Sequence, residues 1–247
     1  MSGHSKWANI KHKKGRADAA RGAATTKIGR EITTAVRIAG ADPSGNMRLK
    51  LALQKARENN IPKENIQRAI QKGQGTLEGS SYEEITYEGY GIGGVALLVE
   101  TMTDNRNRTA AEMRHIFSKN GGNMGESGCV SWMFHKKGLV LIDKTPELQE
   151  EDLLAIVLDA GAEDMSSDED QFEVTCAPED FEGLVNALEA ANIKWESAEI
   201  SMIPETTIAL SGDDATRLMR LVDALEEQDD VQNVYGNFDV PDEEEDD

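Results

Sequence analysis

Cysteine is nearly absent from this 247-residue chain: Cys129 and Cys176 stand 47 positions apart, with no CxxC pair or Cys/His cluster beside either. That excludes a disulfide-held framework and leaves two reduced, buried thiols of a cytosolic protein as the natural reading. Long apolar runs are missing too. No stretch approaches the roughly 20 apolar residues of a membrane span, and GHSKWANIKHKKGRADAARG lacks the apolar core of about seven to fifteen residues that a secretory signal needs. A mitochondrial presequence would favour Arg and Ser on an amphipathic helix, whereas this segment is Lys, His and Gly with a Trp. A cytoplasmic protein with no membrane partner is expected. His4, His12, His115 and His135 are scattered without an HExxH, and no Gly-Lys-Ser/Thr exists, so neither a metal nor a nucleotide-cradling P-loop is expected.

Positive charge is scarce as well, except in one place. Sixteen of the 26 Lys and Arg residues fall in the first 80 positions against six acids, while residues 138–247 hold four bases and 33 acids. A chain of net charge -20 thus opens with a segment of about +10. In the first thirty residues Lys6, Lys11, Lys13, Lys14, Arg16, Arg21, Lys27 and Arg30 face Asp18 alone. Crowded like charges repel and resist folding unaided, so this arm is expected to stay mobile until a polyanion neutralises it. Nucleic acid is the polyanion this pattern favours, with a solvated tail of no fixed partner as the alternative.

Residues 17–39 place Ala20, Ala24, Ile28, Ile32 and Val36 on one helical face closed by Gly40. A second helix follows Asp42-Pro43-Ser44-Gly45, and a third runs from Pro62 to Gly73, making a three-helix domain over 17–78 behind an arm of 1–16. From Gly138 to Ile203 the order is strand (GLVLID), helix 147–160, strand (AEDMS), strand (QFEVTC), helix 179–191 and strand (WESAEISMI), the βαββαβ of a ferredoxin-like domain over 137–204. Strands near 83–88, 94–101 and 129–134, helix 107–119, strand 206–210, helix 213–227 and strand 231–238 assemble a discontinuous domain over 79–136 and 205–240, into which the first is inserted. The fold expected is α+β, with an acidic tail over 241–247. At this length two or three domains are the norm.

Several residue groups carry candidate chemistry. Gly89, Gly91 and Gly94 satisfy GxGxxG, but a strand-like VALLVE follows where a dinucleotide site needs a helix, so a hairpin turn is expected. A Cys129 nucleophile served by His115 or His135 is the alternative to a strand-buried Cys, the commoner situation. DNRNRT, 104–109, is a second polar site candidate: Asp104 or Asn105 can cap a helix, while Arg106 and Arg108 can hold a phosphate or an acidic neighbour. Trp7, inside the cationic arm, can stack on an unpaired base or dock on the helices. Helices two and three, joined through Asn59-Asn60-Ile61, have the order of a helix-turn-helix, the third offering Asn65, Gln67, Arg68 and Gln71 to base edges or simply to water. The nucleic-acid-binding set is therefore Lys6, Trp7, Lys11, His12, Lys13, Lys14, Arg16, Arg21, Lys27, Arg30, Arg57, Arg68 and Lys72.

GHSKWANIKHKK, NNIPKENIQRAI, YEGYGIGG, TDNRNRTAAEMRHIFSKNGGN and AEISMIP together resemble the YebC family, which includes mitochondrial translational activators of cytochrome oxidase. The resemblance covers almost the whole chain. It implies three domains around a cleft, bacterial cytoplasm, no enzymatic activity, no cofactor, and a role as a DNA-binding transcriptional regulator. For some members it implies instead ribosomal RNA, the ribosome, and help in elongating through proline runs. DNA and ribosomal RNA stay open as partners, and a monomer is expected. Departures from the family pattern are Ala23, Ala24 and Thr25, where a Lys, an apolar residue and an aromatic are usual, Gly29 for a bulky apolar residue, Ile92 for proline and Gly236 for histidine.

Overall fold

The structure is a computed structural model that describes residues 19–78, 81–168 and 170–240, with side chains from residue 23 onward. The chain is α+β and forms two compact units. One contains the described residues through Ser131 together with Ser211–Gly236; the other contains Trp132–Leu210 and residues 237–240. Residues 132–210 of the second thus interrupt the sequence of the first.

The first unit opens with helices α1 (Ala19–Ala39), α2 (Met47–Glu58) and α3 (Lys63–Gly73). Their core is Ile32, Val36, Leu49 and Ile61 with four alanines, small side chains that let the helices approach closely. Gly73 shows how closely: a methyl group there would lie 2.7 Å from the carbonyl oxygen of Thr33 and 2.7 Å from Val36. Buried Asn46 sets the α1–α2 corner. Its side chain accepts from Leu49 N–H at 3.0 Å, capping α2, while its amide donates to the carbonyls of Ala35 and Gly40 that end α1. Asn60 takes φ 54° at the α2–α3 turn, a left-handed conformation that Asn tolerates.

The same unit holds a sheet of β1 (Glu83–Tyr90), β2 (Ala96–Thr103), β3 (Asn123–Met124) and β9 (Val231–Gly236), in the order β3-β1-β2-β9 and antiparallel throughout. Helices α4 (Arg106–Lys119) and α7 (Gly212–Glu226) pack with it, burying Met113, Phe117, Leu218 and Leu225. The glycine hairpin is a short 3-10 turn, Ile92–Gly94, with Gly93 at φ 70° and Gly94 at φ 77°. A strand follows it and not a helix, so the backbone N–H groups needed for a pyrophosphate are committed to the ladder.

The second unit contains β4 (Phe134–Asp143), α5 (Glu150–Asp159), β5 (Ala162–Ser167), β6 (Gln171–Cys176), α6 (Phe181–Ala190) and β7 (Ser197–Pro204). Sheet order β5-β6-β4-β7, all antiparallel, is that of a ferredoxin-like fold. Val140, Ile142, Phe172 and Val174 form its helix-side core with Phe181 and Leu184. Two short parallel strands, β8 (Ile208–Ala209) and β10 (Phe238–Asp239), complete it.

Two expectations are corrected. Residues 129–134 are not a strand: the chain makes a 3-10 turn at Ser131–Met133, and only Phe134 enters the sheet, as the first residue of β4. The last strand is likewise broken, with Asn237 separating β9 from β10; the two halves pair with different partners, β2 and β8.

Candidate nucleic-acid interface

Of the cationic residues singled out by sequence, Lys6, Trp7, Lys11, His12, Lys13, Lys14 and Arg16 lie outside the described residues, as does the side chain of Arg21 at the start of α1. The rest divide into two groups by what their side chains touch.

Lys27 and Arg30, one turn apart on α1, turn inward. Lys27 donates to the carbonyl of Glu226 at the end of α7, and its burial draws its pKa down against the pull of Glu226 and Asp229. Arg30 donates to the carbonyl of Met102 at 2.9 Å, the carbonyl of Asp229 at 2.7 Å and the carboxylate of Asp230 at 2.5 Å, and its guanidinium lies 5.3 Å from the Tyr82 ring centroid. A phosphate would have to displace Asp230 to reach it. Arg48 is similarly occupied, by Glu31 and Glu84.

Asp230 is the centre of a larger knot. Its buried carboxylate also accepts from Arg108 at 2.9 Å, from the hydroxyl of Thr109 at 2.6 Å and from that of Thr103 at 3.1 Å. Burial alone would raise its pKa, but the hydrogen bonds from Thr109, Arg108 and Arg30 overcome that and hold it down at about 2. The polar run 104–109 is thereby explained from within. Asn105 caps α4 by accepting from Arg108 N–H at 3.1 Å; Arg108 bridges Asp104 and Asp230; Arg106 pairs with Glu83 at 3.3 Å. Of the two roles open to the arginines, holding acidic neighbours is the one the structure displays.

The second group stays outward. Arg57, at the end of α2, and Arg68, in the middle of α3, are exposed; Lys72, half-buried, lies one turn beyond Arg68 on the same face. None has an ion-pair partner among the described residues. Gln67 and Gln71 extend this strip, both exposed, while Asn65 is partly covered. The turn leading into α3 buries Ile61 and starts the helix after Pro62.

One group was missed by the sequence reading. Glu88 of β1 is buried and accepts three backbone N–H groups, from Gly128 at 2.7 Å and from Val130 and Ser131 at 2.8 Å each. Burial would raise its pKa, yet these bonds bring it below the ordinary value. The carboxylate organises the 125–131 loop, and the neighbouring Cys129 thiol is pushed up by burial and by Glu88, away from the thiolate a nucleophile requires. Among the described residues no three His, Cys, Asp or Glu side chains gather as a metal would require, and no helix is long and apolar enough to cross a membrane.

Comparison with known proteins gives this arrangement its context. Residues 5–76 match the model of the TACO1/YebC protein N-terminal domain, and residues 82–238 that of the TACO1/YebC second and third domain. A probable transcriptional regulatory protein of Pelotomaculum thermopropionicum is 57% identical over 98% of this chain and 100% of its own. A protein of the same description from Carboxydothermus hydrogenoformans is 58% identical, with coverage of 98% and 100%. The crystal structure of a conserved hypothetical protein from Aquifex aeolicus superposes with a TM-score of 0.84 at 44% identity, covering 97% of this chain and 98% of that one. Likeness of this extent in sequence and in fold places the chain in the TACO1/YebC family.

Proposed function

We propose that the chain is a non-enzymatic regulator of gene expression that grips nucleic acid through its basic arm and the outward cations of its three helices. The observation that carries this reading is the sorting of charge. Lys27, Arg30, Arg48, Arg106 and Arg108 are each paired with a partner in the fold, whereas exposed Arg57 and Arg68 and half-buried Lys72 have no ion-pair partner among the described residues, and the arm adds Lys6, Lys11, Lys13, Lys14 and Arg16. Cations without internal partners are what a phosphate backbone engages, and acidic domains beyond residue 137 repel that backbone and so orient the arm toward it. The regulatory names of the relatives support the same class. The partition into helical domain 17–78, discontinuous domain 79–136 with 205–240 and inserted domain 137–204 belongs to this proposal; the gap between the two family models, residues 77–81, supports its first boundary.

Each phosphate contact releases counterions, so log K falls with log salt at a slope of about -0.7 to -0.9 per contact. Replacing Lys11, Lys13 and Lys14 together by Ala is expected to flatten that slope by about two to three. An unchanged slope removes the arm from the interface.

Ribosomal RNA is the second reading of the target, favoured by an arm of Lys, Gly, Ala and one Trp, a composition suited to irregular, partly single-stranded surfaces. Lysate sedimented through a sucrose gradient separates the two. Co-migration with ribosomes, lost on deleting residues 2–16, supports RNA; free protein at the top, with a sequence-selective footprint on duplex DNA, supports transcription.

A further inference from the structure

Strand β5 is an edge of the ferredoxin-like sheet and is paired to β6 alone, with a register shift between Ala162 and Asp164. None of its residues is fully buried. Its hold on the sheet is therefore the ladder to β6, helped by an ion pair between Glu163 and Lys137 of β4. An element with few buried apolar contacts opens at a lower free energy than the core strands beside it.

Glu173 of β6 stands opposite Ser166 of β5 on one side and Leu141 of β4 on the other. Cross-strand partners project to the same face, so Asp164, opposite Thr175, is its diagonal neighbour. Glu173 is 4% exposed, and its Oε2 has no hydrogen-bond partner among the described residues. The charged groups on this side of the sheet, among the described residues, are Asp164 of β5, Asp168 after it, Lys137 and Asp143 of β4, and Glu196 and Glu199 at β7. Lys137 is already held by Glu163. Burial, with Asp164 and Asp168 adding to it, pushes the Glu173 carboxyl up to about 7. A neutral carboxyl fits this environment, whereas a carboxylate meets acids and no donor.

We propose that β5 is a pH-released strap: proton loss from Glu173 sets a third carboxylate beside Asp164 and Asp168, and β5 parts from β6 while β4, β6 and β7 stay paired. The two acids that repel Glu173 ride on β5 and on the turn that follows it. Parting of this one strand therefore separates the charges and admits water to the carboxylate at once. The pH window follows from the direction of the shift. The folded pKa lies above the ordinary 4.5, so the stability that the neutral form contributes is present below the ordinary value and is lost as pH rises through the folded one. The device is contained in the inserted unit and does not depend on what the basic arm binds.

The test is amide hydrogen exchange on the full chain at about pH 6 and about pH 8, read as protection factors so that the intrinsic pH dependence of exchange cancels. With a carboxyl that titrates near 7 while β5 is paired and at the ordinary 4.5 once it is free, the opening constant of β5 rises about tenfold between the two conditions. Protection is expected to fall by that factor at the β5 amides and to hold in β4 and β7. Glu173→Gln, which keeps size and removes the charge, should keep β5 protection constant over the same range. Equal protection of β5 in both conditions, an equal fall in β4 and β7, or the same fall in Glu173→Gln overturns the proposal. Should that variant not fold, the side-chain carboxyl carbon of Glu173 in the parent decides: an NMR titration midpoint above about 6 supports the strap, and one below it overturns it.

Discussion

Arg30 of α1 and Asp230, 200 positions later at the entrance to β9, meet at 2.5 Å, and both side chains are largely withdrawn from water. The pair ties the first helix to the strand that closes the sheet of its unit. Arg30 reaches Met102 and Asp229 carbonyls from the same position, so removing the carboxylate strands a buried guanidinium among acceptors built for two sides of it.

Asp230→Asn is expected to destabilise the chain by about 3 kcal/mol, because breaking a buried pair leaves an uncompensated charge. The effect has a definite pH dependence. The folded pKa of Asp230 lies near 2, below the ordinary 3.8, so its contribution is present above the ordinary value and is lost as pH falls through the folded one. Urea unfolding should show a constant gap between variant and parent from neutral pH down to about 5, closing as pH approaches 2. A gap that persists unchanged at pH 2 contradicts the assignment.

Glu88→Gln keeps one acceptor oxygen and places an NH2 group where Gly128, Val130 or Ser131 now donates. At least one buried N–H is orphaned, for a cost of about 1–3 kcal/mol. Hydrogen exchange should accelerate at residues 128–131 well before it does in β1 or β2. Uniform acceleration across the sheet would mean that the loop is held by something else.

Two glycines in the helical element predict opposite signs. A methyl group at Gly29 meets nothing within 4 Å, so Gly29→Ala should stabilise by about 0.5–1 kcal/mol through helix propensity. Gly73→Ala gains the same propensity but forces the Thr33 carbonyl and Val36 apart, and should destabilise by about 1–3 kcal/mol. Thermal unfolding of the two single variants decides it; two shifts of the same sign would disprove the close α1–α3 approach.

Outward and inward cations should separate binding from stability. Arg57→Ala, Arg68→Ala and Lys72→Ala combined are expected to leave the unfolding midpoint nearly unchanged and to flatten the salt slope of nucleic-acid binding by about two to three. Arg30→Ala should do the reverse, lowering the midpoint while the slope moves little. If the triple variant binds with an unaltered slope, the helical surface is not part of the interface.

Much of the architecture is legible in the sequence because it is local. The step of four in 28, 32 and 36, the alternation of QFEVTC, and glycine at 40, 73 and 121 mark helices, strands and stops within a few residues of the groups that cause them. The ferredoxin-like order followed from those marks alone. Residues 129–134 misled because Val130, Trp132 and Phe134 alternate as a strand does, while the acceptor that bends them, Glu88, lies some forty residues upstream. Asn237 interrupts the last strand for a comparable reason: its carbonyl accepts from Ile208 N–H at 2.7 Å, a partner no short window contains.

What the sequence by itself determined, then, is the order of the elements and the concentration of positive charge in the first 80 residues. Both are properties of neighbouring positions or of simple sums. Which of those charges face water was decided by the tertiary structure. Lys27 and Arg30 look alike in sequence to Arg57 and Arg68, and they differ because folding brings Glu226, Met102 and Asp230 to the first pair and, among the described residues, no ion-pair partner to the second. A charge removed from solvent must be matched by a partner, and the partner is supplied by chain distant in sequence.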